Sequence, residues 1–215
     1  MKKFLFAILS ILILATTLAG QEISFNLTPE EEAEKASWIA KGLMYPKYGY
    51  DKVSWGAGVD EVKKHYTGMV NTSDEDSLFG MRKFSQTVGS GGIVKREFYF
   101  YQGGLIKVTV QYDKSVEIEL IRDKIKSTYG KGEYPESARA GYYSPSANKI
   151  DKNYNIIGEG SFVENPKQHK DCYPLARYYH PLSPKTDEKI DVQRFQLKKH
   201  RADVNEKKQI DALGL

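Results

Sequence analysis

Alternation of apolar and polar side chains is clearest in the segment that runs from Leu105 to Tyr112. Its even positions are apolar, and they are Ile106, Val108, Val110 and Tyr112. Its odd positions include Lys107, Thr109 and Gln111. This alternation predicts a β-strand with one face in the core, because successive side chains of a strand point to opposite sides of a sheet. A slip of one residue would bury the polar set, so the pattern also specifies the register.

Two further strands are predicted immediately before this one. The residues from Ile93 to Tyr101 are rich in aromatic side chains, which favour strands, and Gln102-Gly103-Gly104 supplies the positive φ that a tight hairpin requires. A strand from Phe79 to Val88 is expected before the glycine-rich turn 89–92. A phosphate-binding loop would need a helix after those glycines, whereas a strand follows here, so a hairpin connection is the better interpretation.

The period of the apolar positions changes after the hairpin. Ile118, Ile121, Ile125 and Tyr129 recur at helical spacing, charged residues lie mostly on the other side, and Gly130 ends the run. This pattern predicts an amphipathic helix that covers the apolar face of the hairpin. Such a cover matters because an isolated hairpin is only marginally stable in water, and each large side chain buried between the two contributes ~1.5–3 kcal/mol.

Two shorter helices are predicted in the first third of the chain. Thr28 can cap a helix that has Pro29 in its first turn and Glu31 in a capping box, and this helix should end before Pro46. A second short helix is expected to run from Val59 to about Tyr66, since Gly68 suits a helix terminus.

The sequence after Gly130 is richer in glycine, proline, serine, asparagine and tyrosine. It predicts loops around short strands near residues 153–157 and 175–180. The charged, weakly periodic end of the chain predicts a bulged strand over residues 190–197 and a frayed helix over residues 202–213.

These elements together predict an α+β fold with a small antiparallel sheet and helices packed on one face. The domain is expected to cover residues 25–180, and residues 181–215 are expected to form a charged C-terminal extension. Without its first twenty residues the chain has about 195 residues, which is long enough for one domain with a substantial core.

Residues 1–20 have the form of a secretory signal peptide. Lys2 and Lys3 form a positive start, an apolar run follows, and Thr17 and Ala19 are small residues at a suitable cleavage position. An uncleaved anchor is the alternative, although a membrane-spanning helix needs about twenty apolar residues. We therefore expect a periplasmic or secreted protein with no transmembrane segment after signal removal.

Composition narrows the classes of partner. Loss of Lys2 and Lys3 with the leader lowers the formal net charge from +4 to +2, which is too small to indicate binding to nucleic acid. The single cysteine, Cys172, cannot form an intramolecular disulfide. The fold must therefore depend on its apolar core.

Catalytic or metal chemistry has one candidate set. His169, Cys172 and His180 lie close together in the sequence, and they could supply a cysteine nucleophile with a base or three zinc ligands. Their spacing fits no strong zinc pattern, so an incidental thiol is the favoured interpretation of Cys172, and no cofactor is predicted.

Tyrosines are the more prominent candidates for binding. The chain has 15 of them, and Tyr142, Tyr143, Tyr178 and Tyr179 form two adjacent pairs that could line a groove for a glycan or a protein. The alternative is that these residues pack the faces of the sheet, since tyrosine is a good strand former.

The segment of residues 53–112, with WGAGVDEVKKHYTG at its start and FYFYQGGLIKVTVQY near its end, resembles the small helix-then-hairpin domains of bacterial envelope proteins. The BamE/SmpA-like lipoproteins are an example. This chain has Gln21 in place of a lipid-carrying cysteine after the leader, and a further helix follows its hairpin. The resemblance implies a scaffold or partner-binding role in the cell envelope.

The sequence thus predicts an exported, non-enzymatic binding or scaffold protein that acts on another envelope protein or a glycan. The alternative is a metal- or cysteine-dependent hydrolase that uses His169, Cys172 and His180.

Overall fold

The computed structural model describes residues 23–129, 135–150, 156–163, 167 and 171–212. The helices of these residues are α1 (Pro29–Ala40), α2 (Val59–His65), α3 (Ile118–Tyr129) and α4 (Ser183–Ala212), and a short 3-10 helix spans Glu75–Phe79. The strands are β1 (Gly49–Tyr50), β2 (Val53–Ser54), β3 (Val70–Asn71), β4 (Met81–Ser90), β5 (Ile93–Tyr101), β6 (Gly104–Tyr112), β7 (Ala138–Ile150), β8 (Ile156–Val163) and β9 (Tyr173–Tyr179).

Seven of the described strands form one antiparallel sheet in the order β3-β4-β5-β6-β9-β7-β8. The last strand along the chain, β9, lies between β6 and β7 and so joins the two halves of the sheet. Strands β1 and β2 form a separate two-stranded ribbon. The predicted α+β class is confirmed, but the sheet is larger than the small one that was expected.

The hairpin that connects β5 to β6 forms where the glycines predicted it. Gln102 has φ of 50° and Gly103 has φ of 89°, and the left-handed conformation is readily available to glycine. The pairing shifts register next to this turn, because Phe100 is opposite Leu105 whereas Tyr99 is opposite Lys107. The extra residue in β6 is Ile106, which therefore leaves the face that it would occupy by simple alternation.

The first face of the sheet lies under α2 and α3 and holds the main core. Phe98, Val108 and Val110 are buried there, and so are Ile118, Ile121 and Ile125 of α3, as their spacing predicted. Val62 of α2 belongs to the same cluster. Arg122 also ties α3 to the sheet, since its Nε donates to the carbonyl oxygen of Ala140 in β7 at 3.1 Å.

The second face of the sheet is covered by α4, which corrects the expectation that helices pack on one face. Ile190 of α4 is buried against Met81, Tyr101 and Ile106. The bulged strand expected over residues 190–197 is instead part of this helix, which has 30 residues and is about 45 Å long. Residues beyond position 180 thus contribute to the core rather than forming only a charged extension.

Side chains on both sides of β6 are buried, because both faces of the sheet are covered. Lys107 and Thr109, which alternation assigns to solvent, are 8% and 4% exposed. Lys107 is paired with Asp187 of α4, and the hydroxyl of Thr109 donates to Glu97 of β5. The side-chain parity of the central positions was correct, since Val108 and Val110 face the main core.

The predicted capping box at the start of α1 is confirmed. Thr28 caps α1 through its side chain, and Glu31 completes the capping box with the backbone of Thr28. The predicted leader of residues 1–20 lies outside the described residues. The expected short helix after Gly58 is α2.

β9 lies within two residues of the strand expected at 175–180, whereas the long strand β7 lies where mostly loops were expected. In the described part of the chain, no helix has both the length and the apolar character that crossing a bilayer requires.

Candidate functional site

The four tyrosines proposed for binding do not share one surface. Tyr142 and Tyr178 lie on the first face and pack against the main core. The ring of Tyr178 contacts that of Tyr50 with a centroid separation of 4.9 Å. Both therefore serve the packing role that was the alternative interpretation of the tyrosine pairs.

Tyr143 and Tyr179 lie on the second face, because neighbouring positions in a strand alternate between the faces. The hydroxyl of Tyr179 donates to the carbonyl oxygen of Glu136 at 2.6 Å, so this tyrosine has a structural partner. Tyr143 is half-buried and contacts the rings of Phe162 and Tyr173 at centroid distances of 6.1 and 5.7 Å.

The cysteine and histidine set is not brought together by the residues that the structure describes. Cys172 precedes β9 and His180 follows it, so the extended chain between them spans roughly 26 Å. His169 lies outside the described residues. Burial raises the pKa of the Cys172 thiol, which favours the protonated form over the nucleophilic thiolate. Within the described ranges, no three histidine, cysteine or acidic residues are grouped to hold a metal ion.

His180 has a structural environment of its own. Its Nδ1 accepts a hydrogen bond from the backbone N–H of Leu182 at 3.2 Å. Its ring makes a T-shaped contact with the ring of Phe25, with 5.4 Å between the centroids. Burial lowers the pKa of His180 below its ordinary value. The neutral imidazole thus helps to form the turn between β9 and α4.

This environment predicts a pH dependence of stability. The folded state binds a proton at His180 less readily than the unfolded state does, so the free energy of unfolding should fall as the pH is lowered through about 6.5. His180→Gln, whose amide oxygen can accept the same hydrogen bond, should weaken this dependence. Urea unfolding between about pH 7.5 and pH 5 measures the effect.

The matched control is His65→Gln, because His65 is exposed at the end of α2. It should retain the pH dependence of the natural protein. An equal loss of stability on acidification in the natural protein and in His180→Gln would contradict this role of His180.

A group of polar and aromatic side chains under α4 is the more informative site. Successive strand pairs place Glu97 of β5 opposite Thr109 of β6, Thr109 opposite Arg177 of β9, and Arg177 opposite Arg139 of β7. Residues directly opposite each other project from the same face. We use "polar cluster" for the following residues of this face: Glu97, Tyr99, Lys107, Thr109, Tyr143, Tyr173 and Arg177.

The carboxylate of Glu97 in the polar cluster has several partners. Glu97 accepts hydrogen bonds from the hydroxyls of Tyr99 at 2.9 Å and Thr109 at 3.3 Å, and it forms an ion pair with Lys95 at 2.7 Å. Burial alone would raise the pKa of Glu97, but Lys95 and the Tyr99 hydroxyl outweigh it and hold this pKa below its usual value. Glu97 is therefore an ionised hydrogen-bond acceptor at neutral pH.

Lys107 connects the polar cluster to α4. Its Nζ lies 2.6 and 2.8 Å from the two carboxylate oxygens of Asp187 and 4.3 Å from the ring centroid of Tyr99. Burial lowers the pKa of Lys107 despite this ion pair, and the positive charge of Arg177 adds to the lowering.

The phenols of the polar cluster remain protonated at neutral pH. Burial and the charge of Glu97 raise the pKa of Tyr99 well above its ordinary value. Burial raises the pKa of Tyr173 to about 12 and also raises that of Tyr143. Tyr143 and Tyr173 can therefore donate hydrogen bonds to a ligand or contact it with their rings, whereas the hydroxyl of Tyr99 already donates to Glu97.

The guanidinium of Arg177 lies near two aromatic rings, which are perpendicular to each other. Its Cζ is 5.5 Å from the ring centroid of Tyr143 and 4.7 Å from that of Phe162. Phe162 can reach this position because Gly141 has no side chain, and a Cβ there would approach the Phe162 ring to 2.8 Å. Cation–π contacts of this kind stabilise the guanidinium by about 0.5–2 kcal/mol each.

The Nε atom of Arg177 is nevertheless buried without a hydrogen-bond acceptor. A buried donor without an acceptor costs about 1–3 kcal/mol, and more when it is charged. Protein structures satisfy nearly all such groups, so an exception often marks a site for a ligand, ion or water.

We compared the chain with protein-family models, with curated proteins and with solved structures. None of them matches it. The resemblance to BamE/SmpA-like domains therefore stays a prediction, and the geometry of the polar cluster is the main evidence for function.

Sequence reasoning missed the polar cluster, although part of its signal was visible. The segment from Tyr173 to Tyr179 alternates as Tyr173, Leu175, Arg177 and Tyr179 on the second face. An arginine inside an aromatic strand is unusual enough to notice, but its neighbours come from β7 and β8, whose pairing the sequence did not indicate.

Proposed function

We propose that this protein is exported to the periplasm or the outside of a bacterial cell and acts there as a non-enzymatic binding or scaffold protein of the cell envelope. Two observations support the proposal: the leader-like residues 1–20 and the polar cluster on the second face of the sheet. The partner is another envelope protein or a glycan.

The observation that carries the proposal is the unusual chemistry of the second face. A sheet face that only supports packing is apolar, as the first face is. The second face instead places phenols and a guanidinium beside aromatic rings under α4. Aromatic and arginine side chains are enriched in binding surfaces because they combine a large contact area with hydrogen-bond donors.

The proposal predicts that binding depends on Tyr143 rather than on the core tyrosines. The full chain is expressed in a bacterium with its own leader and a C-terminal tag, and cells are cross-linked before the tagged protein is recovered. The tagged protein should be in the periplasmic fraction or the medium, shortened by about twenty residues. A specific cross-linked partner should be recovered, and Tyr143→Ala should reduce its recovery.

The matched control is Leu120→Ala, because Leu120 is 63% exposed on α3, which lies on the first face. This variant should recover the partner as well as the natural protein does. Full-length protein in the cytosol would contradict export, and equal recovery by both variants would contradict binding through the second face. A thermal unfolding scan of each variant establishes that it is folded.

A further inference from the structure

Two arginines lie side by side on the second face of the sheet. Arg177 of β9 and Arg139 of β7 are directly opposite each other in an antiparallel pair, so their side chains leave the sheet on the same side. Like charges at such positions repel each other. Neither side chain forms an ion pair or a hydrogen bond within the described part of the protein.

The other cations described on this face differ from these arginines, because each has a carboxylate partner. The pairs of the strand residues are Lys83 with Asp74, Lys95 with Glu97, and Lys107 with Asp187. Among the residues that the structure describes, Arg139 and Arg177 thus differ from these lysines in having no carboxylate partner.

The aromatic rings limit the direction from which a ligand can approach Arg177. Tyr143 and Phe162 lie near its guanidinium, with Cζ-to-centroid distances of 5.5 and 4.7 Å. The N–H donors of a guanidinium lie around its edge, in the plane of the group. One of these donors, Nε–H, is the buried one without an acceptor.

We propose that Arg139 and Arg177 together bind the oxyanion of a ligand, which is a carboxylate or a phosphate group. The forked guanidinium matches both groups, since it offers two parallel N–H donors to two oxygens. A bound oxyanion would give Arg177 the acceptor that it lacks and would turn the repulsion between the two arginines into shared attraction. The proposal rests on the proposed function, because it names the chemistry that the second face recognises.

The test uses the Nε–H NMR signals of the arginines in the full exported chain. Sodium phosphate, sodium acetate and sodium benzoate are titrated separately at constant ionic strength, with sodium chloride as the reference. At least one oxyanion should shift the Arg177 signal in a saturable way, and chloride should not. A preference for phosphate or for a carboxylate identifies the source of the oxyanion.

Two variants distinguish a paired site from a single exposed charge. Arg139→Gln should weaken oxyanion binding about tenfold or more, because it removes a charge-assisted contact. Arg82→Gln is the matched control and should leave binding unchanged, since Arg82 is an exposed arginine whose Cζ lies 5.3 Å from the centroid of the Phe84 ring.

Thermal unfolding gives an independent readout. The oxyanion that binds should raise the unfolding midpoint of the natural protein and of Arg82→Gln, and it should have no effect on Arg177→Met. The proposal is overturned if no oxyanion gives a saturable shift, or if Arg139→Gln binds as tightly as the natural protein. If that happens while Tyr143→Ala still loses the envelope partner, the oxyanion site is wrong and the binding face stands.

Discussion

Asp187→Ala should lower the free energy of unfolding by about 2–3 kcal/mol. The variant leaves the ammonium of Lys107 under α4 without its carboxylate, although Lys107 is only 8% exposed. A buried charge without a partner costs more than the lost ion pair itself. Urea unfolding monitored by circular dichroism measures the change, and the N-terminal part of α4 should lose protection in hydrogen exchange.

The double variant Lys107→Met, Asp187→Leu is the matched control. It removes both charges and keeps apolar volume between β6 and α4, so its stability should be close to that of the natural protein. The loss in Asp187→Ala should also shrink as the pH rises, because an unpaired Lys107 is neutral in the folded state well below its unfolded pKa of about 10.4. A loss in the double variant as large as that in Asp187→Ala would show that the ion pair itself, rather than the orphaned charge, holds the helix.

This ion pair shows where sequence reasoning reached its limit. Alternation along β6 correctly assigned Val108 and Val110 to the main core, because that pattern depends only on neighbours within one strand. It could not show that Lys107 is buried, since the carboxylate that makes burial possible is 80 residues away. Polar positions were read as solvent-exposed because a sequence does not show which helix will cover a face.

The C-terminal helix was misread for a related reason. Ile190 and Val192 are two residues apart, and so are Phe195 and Leu197, which suggested a bulged strand. The helix also has no sustained apolar stripe. Its attachment depends on a few specific contacts, which are Ile190 in the core and the ion pairs of Asp187 and Arg194 with distant residues. By contrast, the helix Ile118–Tyr129 was predicted correctly because three isoleucines repeat on one face.

The candidate site was predictable only in part. The adjacent tyrosine pairs were identified from composition, and Tyr143 does belong to the polar cluster. Its neighbour Tyr142 faces the core, because adjacent strand residues point in opposite directions. Arg177 was missed since its environment comes from residues on β7 and β8, and sequence spacing carries no information about that pairing.

Phe98→Ala should have the largest effect on stability, with a loss of about 3–5 kcal/mol in the free energy of unfolding. Phe98 is fully buried at the centre of the first face. It lies opposite Phe84 on one side and Val108 on the other, and its ring is 4.8 Å from that of Tyr66 between centroids. Truncation removes the transfer free energy of the ring and leaves a cavity that these fixed neighbours cannot fill.

Because domains of this kind are stable by only about 5–15 kcal/mol, Phe98→Ala should shift the urea midpoint strongly or prevent folding. Phe98→Leu keeps most of the volume and should cost about 1–1.5 kcal/mol, so it gives a measurable value even if alanine does not fold. Val94→Ala is the matched control, since Val94 lies in the same strand with 38% of its surface exposed and should lose less than about 1 kcal/mol. Equal losses in Val94→Ala and Phe98→Leu would mean that the core under α2 and α3 is not the main source of stability.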